Sequence, residues 1–139
     1  MRLSPHLCFD GNCAEAFRFY QKLFGGSITS MLTYGESALA QNVPLHLRNR
    51  ILHATLQFGS QELLGADVMP EDYQQPAGFF VILSVPDLAR ARETFDALSE
   101  AGSVRMPIQK TFWSDGFGVL VDRFGIPWEV SCGRNVDSN

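Results

Sequence analysis

The sequence has no excess of basic residues and no long apolar run. It contains 11 Lys and Arg against 15 Asp and Glu, which gives a formal net charge of −4 with both signs scattered along the chain. No stretch approaches the roughly 20 apolar residues that span a bilayer. The N-terminus also lacks the apolar core and cleavage site of a signal peptide. We therefore expect a cytoplasmic protein that binds neither nucleic acid nor membranes.

Paired cysteines and glycine-rich loops are missing as well. Cys8, Cys13 and Cys132 have neither CxxC nor zinc-knuckle spacing, so free, mostly buried thiols in a reducing compartment are the simplest interpretation. No Gly-rich loop follows a predicted strand, which argues against a nucleotide cofactor. The 45% of hydrophobic residues is nevertheless sufficient for one globular domain with a substantial core.

The first half of the chain changes from strand to helix periodicity. Apolar residues alternate over positions 3–9 and predict a half-buried strand, whereas those from 13 to 24 recur at helical spacing. Asn12, with Glu15, is expected to cap the start of this helix, and Gly25-Gly26 to end it. Three further strands are predicted at 27–34, at 51–58 and from about 60 to 64, with a long loop over 35–50.

The same order returns after a polar segment that contains Pro70 and Pro76. With a shift of about 75 residues, Asn12 overlays Asp87 and Tyr20 overlays Phe95. Strands are predicted at 79–85, 104–110, 117–122 and 126–131. The sequence thus predicts an α+β domain of two βαβββ modules, divided into a first module at 1–66, a linker at 67–77, a second module at 78–133 and a tail at 134–139.

Short motifs that occur in a fixed order carry a resemblance to a known family. They are Phe9-Asp10-Gly11-Asn12-Cys13-Ala14-Glu15-Ala16, Gly25-Gly26, Ile51-Leu52-His53-Ala54, Asp67-Val68-Met69-Pro70, Thr111-Phe112-Trp113, and Asp122-Arg123-Phe124-Gly125-Ile126-Pro127-Trp128. Together they resemble the PhnB-like group of the glyoxalase, bleomycin-resistance and extradiol-dioxygenase (vicinal oxygen chelate) superfamily. The resemblance implies curled mixed sheets around a cleft, with the helices outside, and a homodimer. It covers nearly the whole chain.

Polar residues on the strand faces opposite the helix-packing stripes are the candidate site. Alternation places His6 on that face of the first strand and His53 on that face of the 51–58 strand, flanked by Thr55 and Gln57. In the last strand it leaves Glu129 there. Two imidazoles and a carboxylate can hold a divalent ion with open positions for substrate oxygens.

The resemblance supports two of these ligands more directly than the third. In metal-dependent relatives a Glu near the end of the final strand is a common ligand, which matches Glu129, and the strand of His53 supplies another. A direct overlay places Pro5, one residue from His6, at the first ligand position. From the residues alone, a strand histidine is more often a hydrogen-bonded structural residue than a metal ligand.

Three interpretations of function remain open. The first is a lyase, isomerase or dioxygenase-type enzyme in which a divalent metal held by His53, Glu129 and His6 polarises adjacent substrate oxygens, with His53 and Glu129 as catalytic residues. The second is a metal-free protein of the bleomycin-resistance type that binds or sequesters a small molecule. The third is a filled cleft and a protein that acts through its surface. Residues expected to line a ligand cleft are Thr55, Gln57, Phe80, Thr111, Phe112 and Trp113.

A methyltransferase activity is also associated with the PhnB-like group, in the ubiquinone pathway. The missing nucleotide loop and the lack of room for a separate cofactor domain argue against that activity here. The superfamily supports many reactions, so the fold does not by itself assign one.

Overall fold

The computed structural model describes residues 1–133, so the predicted tail at 134–139 lies outside the described residues. The chain divides into two compact units, Met1–Gln75 and a second unit that begins at Pro76. Each unit contains a strand, a helix and three further strands, which confirms the predicted α+β fold of paired βαβββ modules. No helix within 1–133 combines the length and apolar character needed to cross a membrane. The elements are β1 (His6–Phe9), α1 (Cys13–Phe24), β2 (Ser27–Thr33), β3 (Ile51–Phe58), β4 (Gln61–Asp67), β5 (Val81–Val85), α2 (Leu88–Ser99), β6 (Ser103–Gln109), β7 (Gly116–Val121) and β8 (Pro127–Cys132).

Both sheets are mixed and share one topology. The strand orders are β1-β4-β3-β2 in the first unit and β5-β8-β7-β6 in the second. In each sheet the first strand of the unit pairs in parallel with the last, and the other neighbours are antiparallel. A helix between the first two strands of each unit makes this crossover, as parallel pairing requires. The internal repeat of the sequence therefore corresponds to a repeat of topology.

Three strand boundaries differ by two residues or more from the sequence-based expectation. β1 begins at His6 and not at residue 3, and β4 continues to Asp67 because β1 pairs with it up to the Phe9 and Asp67 register. β5 begins at Val81, whose partner is Trp128, so Phe80 precedes the strand. The partner strand β8 starts only at Pro127. A strand ends where its partner ends, and this partner is remote in sequence.

The core of each unit lies between its helix and one face of its sheet. Phe17 and Tyr20 of α1 are fully buried, and the ring of Phe17 meets that of Phe9 on β1 edge to face at 6.1 Å. In the second unit Phe95 and Leu98 of α2 are buried in the same way. These are the apolar stripes that the helical periodicity predicted.

Gly65 on β4 allows α1 to pack close to the first sheet. A Cβ atom at this position would lie 2.7 Å from Cζ of the buried Phe17. We predict that Gly65→Ala lowers the free energy of unfolding by about 1–3 kcal/mol, the usual cost of overpacking a core. Urea denaturation measures this loss. Backbone strain does not contribute to this loss, because the φ of Gly65 lies outside the left-handed region, so the measurement reports the overpacking. Equal stability of Gly65→Ala and the wild type would contradict the close packing.

The two helices begin in different ways. Asp87 accepts a hydrogen bond from the Arg90 amide at 2.8 Å and caps α2, as predicted. The corresponding prediction for α1 is wrong, because the Asn12 side chain makes no capping hydrogen bond. Asp67 occupies that role from the end of β4.

The carboxylate of Asp67 joins three parts of the first unit. Its side chain is almost fully buried, with a relative exposure of 1%. Oδ1 accepts hydrogen bonds from the amides of Gly11 at 2.9 Å and Cys13 at 3.0 Å, and Oδ2 accepts one from the amide of Ile51 at 2.8 Å. This carboxylate thus satisfies free amides at the start of α1 and holds them beside β3.

Asp122 has a similar role in the turn between β7 and β8. Oδ1 accepts hydrogen bonds from the amides of Phe124 at 2.9 Å and Ile126 at 3.0 Å. Oδ2 accepts one from the indole Nε1 of Trp128, also at 2.9 Å. Aspartate favours turns because its side chain can bond the backbone a few residues further on. The turn and the largest core side chain of the second unit are thereby joined.

Candidate functional site

Each sheet has one face toward its helix and one face away from it, which we call its open face. On β1 the buried Leu7 and Phe9 point toward α1, so His6 and Cys8 lie on the open face. On β3 the buried Ala54 and Leu56 do the same, which leaves His53 on the open face. Thr55 and Gln57 share that face with His53, as the alternation of side chains predicted. The register places His6, Leu64, Thr55 and Ser30 in one row across the four strands of the first sheet.

The imidazole of His53 is partly held by a neighbour on its own strand. Its Nε2 lies 3.1 Å from the hydroxyl of Thr55, which can donate or accept according to the tautomer of the ring. Gln57 lies further along the same strand and is exposed. One of the two ring nitrogens of His53 is therefore hydrogen-bonded within the protein, as is usual for a histidine in a strand. The other ring nitrogen has no hydrogen bond within residues 1–133.

His6 and His53 interact electrostatically. Partial burial of the His6 ring is the larger cause that lowers its pKa, and the nearby His53 is the second. The Nδ1 atom of His6 also lies 4.0 Å from the sulfur of Cys8. A lowered pKa favours the neutral imidazole at neutral pH, which is the form that binds metals and exchanges hydrogen bonds.

We predict that the NMR titration of His6 gives a pKa below 6.5, the ordinary value for this side chain. His53→Gln should raise that pKa toward 6.5, because the second imidazole is removed. The unfolded chain then protonates at higher pH than the folded one, so the stability linked to His6 is complete above about pH 6.5 and is lost as the pH falls through the folded pKa. An unchanged His6 titration in His53→Gln would show that the two rings do not interact.

The open face of the second sheet carries Glu129. Trp128 and Val130, its neighbours on β8, are buried toward α2 with exposures of 2% and 0%. Glu129 is half-buried and lies in register with Ile82 on β5 and Val119 on β7. Within the described residues its carboxylate has no hydrogen bond or ion pair. The alternation of β8 predicted this placement correctly.

An aromatic group lies beside the open face of the second sheet. Trp113, in the segment between β6 and β7, packs edge to face on Phe117 at 5.4 Å, and Phe117 is in register with Ser131 on the open face. Phe112 contacts the Trp113 ring at 4.7 Å and is 82% exposed. The amide of Thr111 donates to the carbonyl of Ser114 at 3.0 Å and so shapes the segment. Phe80, before β5, is 47% exposed.

The proposed metal ligands fall into both units. His6 and His53 belong to the first unit and Glu129 to the second. Among residues 1–133, no three His, Cys, Asp or Glu side chains are grouped closely enough to share one ion. The two imidazoles alone do not complete a ligand set within their unit, and the three-residue set stays a prediction.

Several residues on these faces were not included in the site predicted from the sequence. Cys8 on the first open face followed from alternation, but it was interpreted only as a buried thiol. The pairing of four strands places Ile82, Val119 and Met106 in one row with Glu129. Their neighbourhood depends on strand register, which no local pattern specifies.

A family model described as 3-demethylubiquinone-9 3-methyltransferase matches residues 1–131. The chain belongs to this family. Protein YjdN of Escherichia coli K12 is 32% identical over an alignment of 139 positions, which covers 94% of this chain and 95% of that protein. The family match and the solved structures together confirm the resemblance to the PhnB-like group.

Solved structures of related proteins share the fold of this family member. Protein PA1353 from Pseudomonas aeruginosa is 39% identical with a TM-score of 0.88, over 97% of this chain and 99% of that one. A PhnB protein from Bacillus cereus is 23% identical with a TM-score of 0.80, over 96% and 100% of the two chains. A glyoxalase family protein from Enterococcus faecalis has a TM-score of 0.58 at 15% identity, over 94% of each chain. The last two show the fold alone, which is that of glyoxalase family proteins.

Proposed function

We propose that this protein binds a small organic molecule on the open faces of its sheets. The observation that carries the proposal is the pair of interacting imidazoles, His6 and His53, on a sheet face that its own helix leaves free. Gln57 adds an exposed amide on the same face, and the hydroxyl of the buried Thr55 holds the ring of His53 at 3.1 Å. Within the second unit, the aromatic group around Trp113 offers apolar contact area beside the open face of that unit's own sheet. A few convergent polar groups beside apolar surface are typical of small-molecule sites.

The chemistry of the first open face favours a neutral ligand with oxygen atoms. Neutral imidazole, hydroxyl and amide groups donate and accept hydrogen bonds without a net charge. Neighbouring positions on this face are Ser30, Leu32, Leu64 and Glu62, and the carboxylate of Glu62 is ion-paired with Arg2 at 3.2 Å. Arg2 is thus already engaged by a carboxylate, and a phosphate or another strongly anionic ligand would require cationic side chains in addition to it. Adjacent carbonyl or hydroxyl oxygens fit the two imidazoles best.

NMR titration of the labelled protein with catechol, and separately with hydroxyacetone, tests this proposal, because both probes are neutral and carry oxygens on adjacent carbons. We expect amide shifts that cluster on β1 and β3, and a dissociation constant about tenfold larger in His53→Gln, the loss of one good hydrogen bond. His46→Gln is the matched control, because His46 lies in the loop before β3 and not on the open face. Shifts that are absent with both probes, or equal affinities in the two variants, would refute the proposed contacts.

A metal-dependent enzyme is the second candidate, because two neighbouring imidazoles are good ligands for a divalent ion. His53 and His6 would hold the ion with Glu129, and a bound ion would polarise adjacent substrate oxygens as a Lewis acid. The described residues do not bring this set together within either unit, so no reaction step is assigned to it. Metal analysis of protein purified without chelator, repeated on His53→Ala and Glu129→Ala, decides the matter. Stoichiometric metal that both variants lose would establish this candidate, and metal-free wild type would end it.

The family description names a methyl transfer, which we do not propose for this chain. The strand-to-helix junctions read Asp10-Gly11-Asn12 and Pro86-Asp87, and neither has the glycine-rich sequence that holds a nucleotide cofactor. We do propose a cytoplasmic homodimer, on the basis of the resemblance to dimeric relatives. Sedimentation equilibrium at micromolar concentration measures that state directly.

A further inference from the structure

Glu129 is an isolated charge on an apolar sheet face. Its row across the second sheet contains Ile82, Val119 and Met106, and the next row contains Ser84, Ser131, Phe117 and Gln109. Glu129 is the one ionisable residue of these two rows. Ile82 beside it is 57% exposed, although it is a large aliphatic side chain in a strand. These two rows thus combine exposed apolar area with a single negative charge.

Such a carboxylate gains from a partner that the described chain does not supply. It is half-buried and has no hydrogen bond or ion pair within residues 1–133. A charge that is partly removed from water is stabilised by an opposite charge with hydrogen-bond donors. The ring of Trp113 packs on Phe117 of the neighbouring row, and aromatic faces attract cations. Charge and apolar surface therefore both favour a positively charged organic ligand.

We propose that the open face of the second sheet binds a small organic cation, an ammonium group on an aromatic or aliphatic body. The ammonium donates hydrogen bonds to the carboxylate of Glu129. The apolar body lies on Ile82, Val119 and Met106 and extends toward Trp113. This inference deepens the proposed function in its metal-free form and assigns a ligand charge to one of the two open faces.

A series of probes that differ only in charge tests the assignment by isothermal titration calorimetry. The probes are 2-phenylethylamine, 2-phenylethanol and 3-phenylpropanoate, which share a phenyl body and are cationic, neutral and anionic at pH 7. We expect the amine to bind about tenfold or more tightly than the alcohol, and the acid to bind least, as a charge-assisted hydrogen bond predicts. Glu129→Gln keeps the shape of the side chain and should remove the preference for the amine while the affinity for the alcohol is unchanged.

Glu100→Gln is the matched control, because Glu100 is an exposed carboxylate at the end of α2. It should leave all three affinities unchanged, and an amide NMR spectrum of each variant checks that the fold is intact. The inference is overturned by equal affinities for amine and alcohol, by undiminished amine binding in Glu129→Gln, or by no amine binding at all. Stoichiometric Mn²⁺ binding that Glu129→Gln abolishes would also overturn it and assign the carboxylate to a metal.

The failure of this inference and that of the proposed function give different results. The proposed function is measured on β1 and β3 with the neutral probes catechol and hydroxyacetone, and it depends on His53. The affinity for the organic cation is a property of the second unit and depends on Glu129. Loss of amine selectivity alone therefore leaves the oxygen-binding face of the first sheet as proposed.

Discussion

Asp67→Ala is expected to lower the free energy of unfolding by about 3–5 kcal/mol, because three amides lose their acceptor and an unsatisfied buried donor costs about 1–3 kcal/mol. The amides are those of Gly11, Cys13 and Ile51, so the start of α1 and the start of β3 lose the same partner. Water can reach the partly buried Gly11 amide and can replace part of the hydrogen-bond energy that this amide loses. Urea denaturation with a constant m-value gives the difference.

Two further variants show whether hydrogen bonding causes that loss. Asp67→Asn retains one carbonyl oxygen and should fall between Asp67→Ala and the wild type. Asp72→Ala removes an exposed carboxylate in a short turn and should stay within about 0.5 kcal/mol of the wild type, as surface changes usually do. If Asp67→Ala were as stable as Asp72→Ala, the carboxylate would not join α1 to β3.

Asp122→Ala is expected to have the second largest effect, a loss of about 3 kcal/mol, for the same physical reason. The amides of Phe124 and Ile126 and the indole Nε1 of Trp128 lose their acceptor together. Because Trp128 is 2% exposed, its indole proton should also exchange faster with water, which one-dimensional NMR in D₂O measures. The stability loss and the faster exchange should occur in the same variant.

The control for this variant is Asp96→Ala, an exposed position on α2. It should change neither stability nor indole exchange. Trp128→Phe removes only the indole donor, but it also leaves a smaller ring in the core, so a loss of about 1–3 kcal/mol is expected there. An Asp122→Ala protein with wild-type exchange at Trp128 would contradict the bond between the turn and the core.

The helices were the most predictable part of the fold. Their positions follow from apolar spacing within about twelve residues, and the bounds of α1 agree with the pattern from Cys13 to Phe24. Strand faces were predictable too, because side chains alternate: His6, His53 and Glu129 all lie where alternation places them. The ends of strands were less predictable. β5, for example, begins at Val81 because that residue pairs with Trp128, which lies far along the chain.

The interactions that hold the site elements were not predictable from local patterns. Asp67 was interpreted as part of a polar linker because prolines and acids follow it. Its partners Gly11 and Cys13 are 56 and 54 positions away, and only the parallel pairing of β1 with β4 brings them together. The cap that Asn12 was expected to provide comes from this distant residue. The residues around Glu129 were not predictable for the same reason, because their positions depend on the register of all four strands of the second sheet.

The parallel pairing of the first and last strands in each unit also orders events during synthesis. β1 is synthesised first, but its partner β4 is complete only when Asp67 has been added. β1 therefore has no strand to pair with while α1, β2 and β3 are synthesised. Contacts between chain segments far apart in sequence slow folding. Because the units divide between Gln75 and Pro76, every strand of the first sheet has left the ribosomal catalytic centre before the second unit begins. A chain that ends at Gln75 therefore contains every strand of the first sheet, whereas one that ends before β4 does not.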